Sequence, residues 1–232
     1  VLYGRDYNDA AFCDDYSLVH GPAWKMVLSD LLSAIIANSD ENTSFFLLTF
    51  DHGSTLGLKT NDKEDPYISP QELKSWLNFS FGYKYIVMQQ CHSRIFVASL
   101  SGLKTSILCA CGASQWAYAR PWEIDEEIED PYHNNEVIKC KHGDFLFWFF
   151  AAIMGRSFYP VKGAFQFYYS DGRRESDTNK DCRISLGEIY SYITAKDCWY
   201  PSEQTQLDVD GNGLSEQDGD WDDENLANCV YL

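Results

Sequence analysis

A histidine and a cysteine stand at matching places in this chain, and together they are the residue types of nucleophilic acyl transfer. The apolar run Phe45-Phe46-Leu47-Leu48-Thr49-Phe50 leads into Asp51-His52-Gly53-Ser54. The run Lys84-Tyr85-Ile86-Val87-Met88-Gln89-Gln90 leads into Cys91-His92-Ser93. Each run has the length and apolar content of a buried strand. In an open α/β sheet the functional residues collect outside the carboxyl ends of the strands, so His52 and Cys91 are expected to face one cleft. A thiolate attacks a carbonyl, and an imidazole generates the thiolate or protonates the departing amine. Gly53 leaves the backbone bare beside the histidine, where its N–H suits a developing oxyanion. Singly, such a histidine is an ordinary loop residue and such a cysteine a small core residue. The shared context of the two carries the expectation.

The flanking sequence supplies the elements that must position this pair. Residues 24–37 place Val27, Leu28, Leu31, Leu32, Ile35 and Ile36 at helical spacing. Residues 53–67 read as a loop. Ser69-Pro70-Gln71-Glu72 opens a helix running to about Asn78, with Ser69 as cap, Pro70 in the first turn and Glu72 completing a capping box. Residues 93–100 read as another helix and 105–112 as a third strand. The run 145–154 reads as a buried helix, far short of the about 20 residues needed to span a bilayer. Strand and helix alternate, which predicts a parallel sheet with helices on both faces. Residues 1–232 are expected to form one domain, with an acidic, calcium-loop-like segment at 177–220.

Asp51-His52-Gly53-Ser54 and Gln90-Cys91-His92-Ser93, each after an apolar strand, resemble the caspase and legumain clan of cysteine peptidases, nearest the legumain-type family and its bacterial relatives. His142-Gly143-Asp144-Phe145-Leu146-Phe147-Trp148 resembles the helix start of that family, and 177–188 resembles an acidic loop of its bacterial members. The likeness covers roughly residues 20–195. It implies a caspase-like α/β sandwich with Cys91 as nucleophile and His52 as its partner. It also implies that the loop after the third strand, with Ser114 and Gln115, forms the pocket for the residue before the cleaved bond. Those side chains predict an uncharged pocket. Arg94 stands where the family has glycine, which bears on the shape of the substrate channel. The family's first strand and helix are not found before Val1, so the chain is expected to lack that N-terminal part.

The chain has 232 residues and a formal charge of −17, which argues against nucleic acid and anionic membranes as partners. A peptide or protein substrate is the expected partner, with no membrane insertion. The acidic runs at 123–130 and after Asp208 read as solvated loops or cation sites. Of eight cysteines, Cys109 and Cys111 alternate within an apolar strand and read as core; no second pair completes a zinc site. Cys13, Cys140, Cys182, Cys198 and Cys229 lie in loop-like segments and are able to pair in an oxidising compartment. With the sequons at Asn42 and Asn78, a secreted or extracytoplasmic location is the expectation.

Asp177, Asn179, Asp181, Arg183, Ser185 and Glu188 fall at positions 1, 3, 5, 7, 9 and 12 of a calcium loop, with Arg183 offering its carbonyl. Cys182 occupies position 6, where glycine is usual. Asp208-Val209-Asp210-Gly211-Asn212-Gly213 repeats the spacing but reaches Gly219 at position 12. Structural Ca²⁺ is thus expected at the first loop, and no cofactor for catalysis. The sequence reading is a cysteine endopeptidase. Its rivals are an inactive calcium-stabilised binding domain and a peptide ligase or transpeptidase using the same acyl-enzyme.

Overall fold

The computed structural model describes residues 2–3, 21–79, 81–118, 126–130, 136–140, 143–154, 156–158, 165–167, 175–197, 199, 201–215, 227 and 230. Strands β1 (Leu2–Tyr3) and β2 (Gly21–Pro22) pair with each other ahead of helix α1 (Lys25–Ala37). Strand β3 (Ser44–Thr49) follows, then three short strands, β4 (Gly53–Ser54), β5 (Gly57–Lys59) and β6 (Tyr67–Ile68), which pair antiparallel. The 53–67 segment read as a loop is therefore in part a small sheet. Its strands are too short for periodicity to show them.

Helix α2 (Pro70–Trp76) starts where the sequence places it. Ser69 accepts the Glu72 N–H at 3.2 Å, and Glu72 accepts the Ser69 N–H at 2.9 Å. Burial opposes ionisation of Glu72, but Lys25 and Ser69 outweigh it and hold the carboxyl down at about 2. Lys25 also pairs with Asp65, so one ammonium joins α1 to the start of α2.

Strand β7 (Tyr83–Met88) runs parallel to β3. A 3₁₀ turn (Ser93–Phe96) and helix α3 (Val97–Leu100) lead to strand β8 (Thr105–Cys109), parallel to β7. Strands β9 (Glu126–Asp130) and β10 (Glu136–Cys140) form an antiparallel pair. The acidic run there is thus paired strand over its second half rather than a solvated loop; residues 123–125 lie outside the described residues. Helix α4 (Asp144–Met154), strands β11 (Arg156–Phe158) and β12 (Phe165–Phe167), helix α5 (Leu186–Lys196) and strand β13 (Gln206–Asp208) complete the elements.

The main sheet has the order β13-β8-β7-β3. Three strands are parallel, and β13 is antiparallel to β8. The protein is mixed α/β with a mostly parallel sheet, and the antiparallel edge is a departure from the all-parallel expectation. Alternation of side chains along the strands fills two cores. Ile86, Met88, Ile107 and Cys109 face Leu32, Leu73, Phe96 and Leu100 of α1, α2 and the 93–100 segment. Val87, Leu108 and Leu207 face Phe149, Ala152, Ile189 and Ile193 of α4 and α5. Helices therefore cover both faces, as parallel strands require. Among the described residues no helix is long and apolar enough to cross a membrane.

Candidate active site

Parallel pairing of β3 with β7 sets Thr49 beside Met88, so the chain leaves both strands on one edge of the sheet. Two bonds hold the exits together. The Gln89 N–H donates to the Thr49 carbonyl at 3.1 Å, and the Thr49 hydroxyl donates to Gln90 Oε1 at 2.6 Å. Beyond them the two segments touch at Gly53. A Cβ placed there would lie 2.3 Å from the Cys91 carbonyl oxygen and 2.7 Å from Gln90 Cγ. Only a residue without a side chain allows this approach, and it brings the backbone next to His52 against Cys91.

Cys91 is half-buried, and its thiol donates to the Ala117 carbonyl at 3.7 Å. His52 is exposed. Its N–H donates to the Asp51 carboxylate and its carbonyl accepts from Lys59 N–H at 2.9 Å. These main-chain bonds fix the turn, and the imidazole makes no hydrogen bond among the described residues. The neighbouring His92 does the opposite. It adopts a left-handed conformation with φ 59°, bonds Gln115 O through its N–H at 2.9 Å, and places Nδ1 2.9 Å from Ala113 O. His92 is thus an anchor for the 112–118 loop, a role its sequence position does not announce.

Ser114 is exposed, as a substrate contact requires. Gln115 is committed elsewhere. Its Oε1 accepts the Gly112 N–H at 2.7 Å, and its Nε2 donates to Pro201 O and Gln204 Oε1, each at 3.1 Å. Its amide pins the loop to residues 201–204 and is not free to bind substrate. Trp116 between them is 62% exposed. Arg94 reaches toward the C-terminal segment, where its Nε donates to the Ser215 hydroxyl at 2.9 Å.

Three carboxyls lie behind the same loop, on residues the sequence scatters. Glu203 is 1% exposed. Its Oε2 accepts the Tyr118 N–H at 2.7 Å, and its Oε1 has no hydrogen-bond partner among the described residues. The Asp144 N–H donates to the Tyr118 carbonyl at 3.0 Å, so both ends of Tyr118 are held by acidic residues. Burial pushes the Glu203 carboxyl up to about 9; the Tyr118 N–H opposes this, and the charges of Asp197 and Asp144 add to it. Burial likewise raises Asp197 to about 6, against the Trp199 N–H and with Asp144 adding repulsion. The Tyr118 ring stacks on Trp199 with centroids 4.7 Å apart. At neutral pH Glu203 therefore carries a proton. An isolated glutamate in a run of polar residues gives no sequence signal of this.

Among the described residues the other cysteines differ from Cys91 in their surroundings. Cys109 and Cys111 are buried; burial pushes the Cys111 thiol up to about 11 and raises Cys109 further. Cys182 is exposed and free, on the loop before α5. The side chains of Cys13, Cys140, Cys198 and Cys229 lie outside the described residues.

The two acidic loops share one backbone. Lys180 and Cys182 have φ 64° and 67°, and Gly211 and Gly213 have φ 75° and 84°, so positions 4 and 6 are left-handed in both. The first-position carboxylate accepts the sixth N–H in each: Cys182 to Asp177 at 3.0 Å and Gly213 to Asp208 at 3.2 Å. The fifth N–H bonds the third side chain, Asp181 to Asn179 at 2.9 Å and Asn212 to Asp210 at 2.8 Å. The Arg183 N–H bonds Asp181 at 2.8 Å. Cys182 thus adopts the turn that glycine adopts in the second loop.

Glu188 lies in the first turn of α5; Ser185 caps that helix, and Glu188 closes its capping box. One oxygen accepts from Ser185 N–H at 3.0 Å, the other from Thr178 N–H at 2.9 Å and Asn179 N–H at 3.3 Å. Burial opposes ionisation of this carboxyl, yet these bonds prevail and lower it. Among the described residues no three His, Cys, Asp or Glu side chains are gathered as metal ligands. No protein-family model and no curated protein matches the chain.

Proposed function

We propose that the protein is a cysteine endopeptidase of the caspase-like sort, with Cys91 as nucleophile and His52 as proton carrier. The observation that supports this is the packing of Gly53 on the Cys91 carbonyl, which holds the backbone of the histidine turn against that of the cysteine turn. The sheet order, with its parallel strands and one antiparallel edge, is compatible with the caspase-like fold that the sequence resembles. The imidazole takes the thiol proton, and the thiolate attacks the scissile carbonyl to give a tetrahedral oxyanion. The C–N bond then breaks as the imidazolium returns the proton to the leaving amine. Water hydrolyses the thioester, with His52 as general base, and frees Cys91. The Gly53 N–H is the proposed oxyanion donor, and Ser114 borders the substrate.

A ligase would share every step up to the thioester and differ only in the final nucleophile. The shared backbone of the two acidic loops supports a structural calcium at Asp177, Asn179, Asp181 and the Arg183 carbonyl, with Glu188 released from its N–H partners to join them.

The deciding experiment is labelling with a peptide acyloxymethyl ketone, followed by mass mapping. Cys91 is the expected adduct, with loss of peptide hydrolysis in Cys91→Ala. Hydrolysis persisting in Cys91→Ala refutes the assignment.

A further inference from the structure

At the end of the sheet opposite Cys91 there is a cavity of about 120 Å³ lined by Lys74, Asn78, Lys84, Ser99 and Ser101 over an apolar floor of Leu77, Ile86 and Leu100. Lys84 is the second residue of β7, so the strand's length, about 20 Å, separates it from the thiol. Neither Lys74 nor Lys84 forms an ion pair among the described residues, although acids outnumber bases 35 to 18 in the chain. Burial lowers the Lys84 pKa, and among the described residues no carboxylate offsets it. The acid that touches the lining, Asp208, is turned inward. It accepts from the Ser101 hydroxyl and from the N–H groups of Gly211 at 2.9 Å and Gly213 at 3.2 Å.

The ordinary explanation of lysines here is the negative ends of α2 and α3, which finish at the cavity. Each helix end is worth about half a charge at most, and less for so short a helix as α3. Two ammonium groups exceed that, and one of them is half-buried. A partly buried cation without a counter-charge costs free energy that an anion would recover. Asn78 and Ser99 add neutral donors around the same space.

We propose that this cavity is a binding site for a small doubly charged oxyanion of the phosphate or sulfate class, held between Lys74 and Lys84. The site is independent of the peptidase reading and stands or falls without it.

Isothermal titration with inorganic phosphate at fixed ionic strength, on the whole chain, tests it. Saturable millimolar or tighter binding is expected, with acetate and chloride giving none. Each charge-assisted contact is worth at least about tenfold in affinity, so Lys84→Gln and Lys74→Gln should each weaken binding by that factor. Lys63→Gln, an exposed lysine on another segment, should leave it unchanged. Lys74 is exposed on α2, so its variant tests the site even where Lys84→Gln fails to fold. Absence of saturable phosphate binding overturns the proposal. So does equal binding in native protein and Lys74→Gln, or an equal response to chloride, which would mean general screening of surface charge.

Discussion

Replacing Glu203 by glutamine should stabilise the protein at alkaline pH and remove a pH dependence. The Glu203 carboxyl titrates at about 9 in the fold, against an ordinary value of 4.5. Between those limits the folded protein holds a proton that the unfolded chain has released. The unfolded state binds fewer protons, so stability falls as pH rises, by up to about 1.4 kcal/mol per pH unit for one group. This contribution is complete below pH 4.5 and lost on rising through pH 9. Asp197, raised to about 6, acts in the same direction but is spent above that pH. Glu72, held at about 2, acts only in acid. The window from pH 6.5 to 8.5 therefore isolates Glu203, where it should cost roughly 3 kcal/mol. Glutamine is neutral, keeps an acceptor for the Tyr118 N–H, and offers an NH₂ toward Asp144 and Asp197. Urea unfolding followed by tryptophan fluorescence at pH 6.5, 7.5 and 8.5 measures the slope. Glu203→Gln should be nearly flat and should exceed the native protein at pH 8.5 by about 1–3 kcal/mol. An unchanged slope, or a variant weaker than native at pH 8.5, refutes the burial argument.

Substituting the exposed His52 by alanine should leave the unfolding midpoint in place and lower kcat by about 10²- to 10⁴-fold; a loss under tenfold makes the imidazole dispensable. Gly53→Ala forces a Cβ against the Cys91 carbonyl, and should cost about 1–3 kcal/mol in urea unfolding and slow ketone labelling of Cys91. Native stability and labelling in that variant would mean the two turns separate freely. Millimolar calcium should raise the thermal midpoint of the native protein but not of Asp177→Asn or Asp181→Asn. No shift in the native protein would leave these loops as hydrogen-bonded turns. Glu188→Gln should cost about 1 kcal/mol even with chelator present, through the α5 cap; an unchanged midpoint there refutes the capping role.

The elements that carry local signals were legible in the sequence. The runs ending near His52 and Cys91 are adjacent parallel strands, and Ser69 with Glu72 makes the expected capping box. The same four-residue spacing at Ser185 and Glu188 was read as calcium ligands, because a capping box and the end of a calcium loop share a serine and a glutamate in those positions. Strand β13 was not legible. Two of its three residues, Gln206 and Asp208, are polar types that burial normally excludes, and they are buried only because β8 pairs beside them. Glu203 was missed for a related reason: nothing local distinguishes a buried acid from a solvated one. Gln115 shows the limit in the other direction. Its position in the loop after β8 was read correctly, but its partners at 201 and 204 are remote in sequence and decide that its amide is structural.

Those remote partners explain how the thiol's surroundings are held. The 112–118 loop that accepts the Cys91 thiol is too short and irregular to fix itself. Its first half is tied by His92 to the cysteine turn and by Gln115 to residues 201–204. Its second half is tied at Tyr118 to Glu203 and to the start of α4 at Asp144. The start of α4 is in turn tied to the exit of β7. The Leu146 N–H bonds Gln89 Oε1 at 2.9 Å, and a Cβ at Gly143 would lie 2.6 Å from the Gln89 amide nitrogen. The connections close a circuit through Gln89, α4, Tyr118 and back to Cys91. A closed circuit restricts the loop more than any single bond would, because each tie removes freedom that the next has no need to remove again. The segment 201–204 enters this circuit only because β13 returns antiparallel along β8 and brings it to the loop. The antiparallel edge strand is therefore part of what holds the surroundings of Cys91, although no residue of it touches the sulfur among the bonds described.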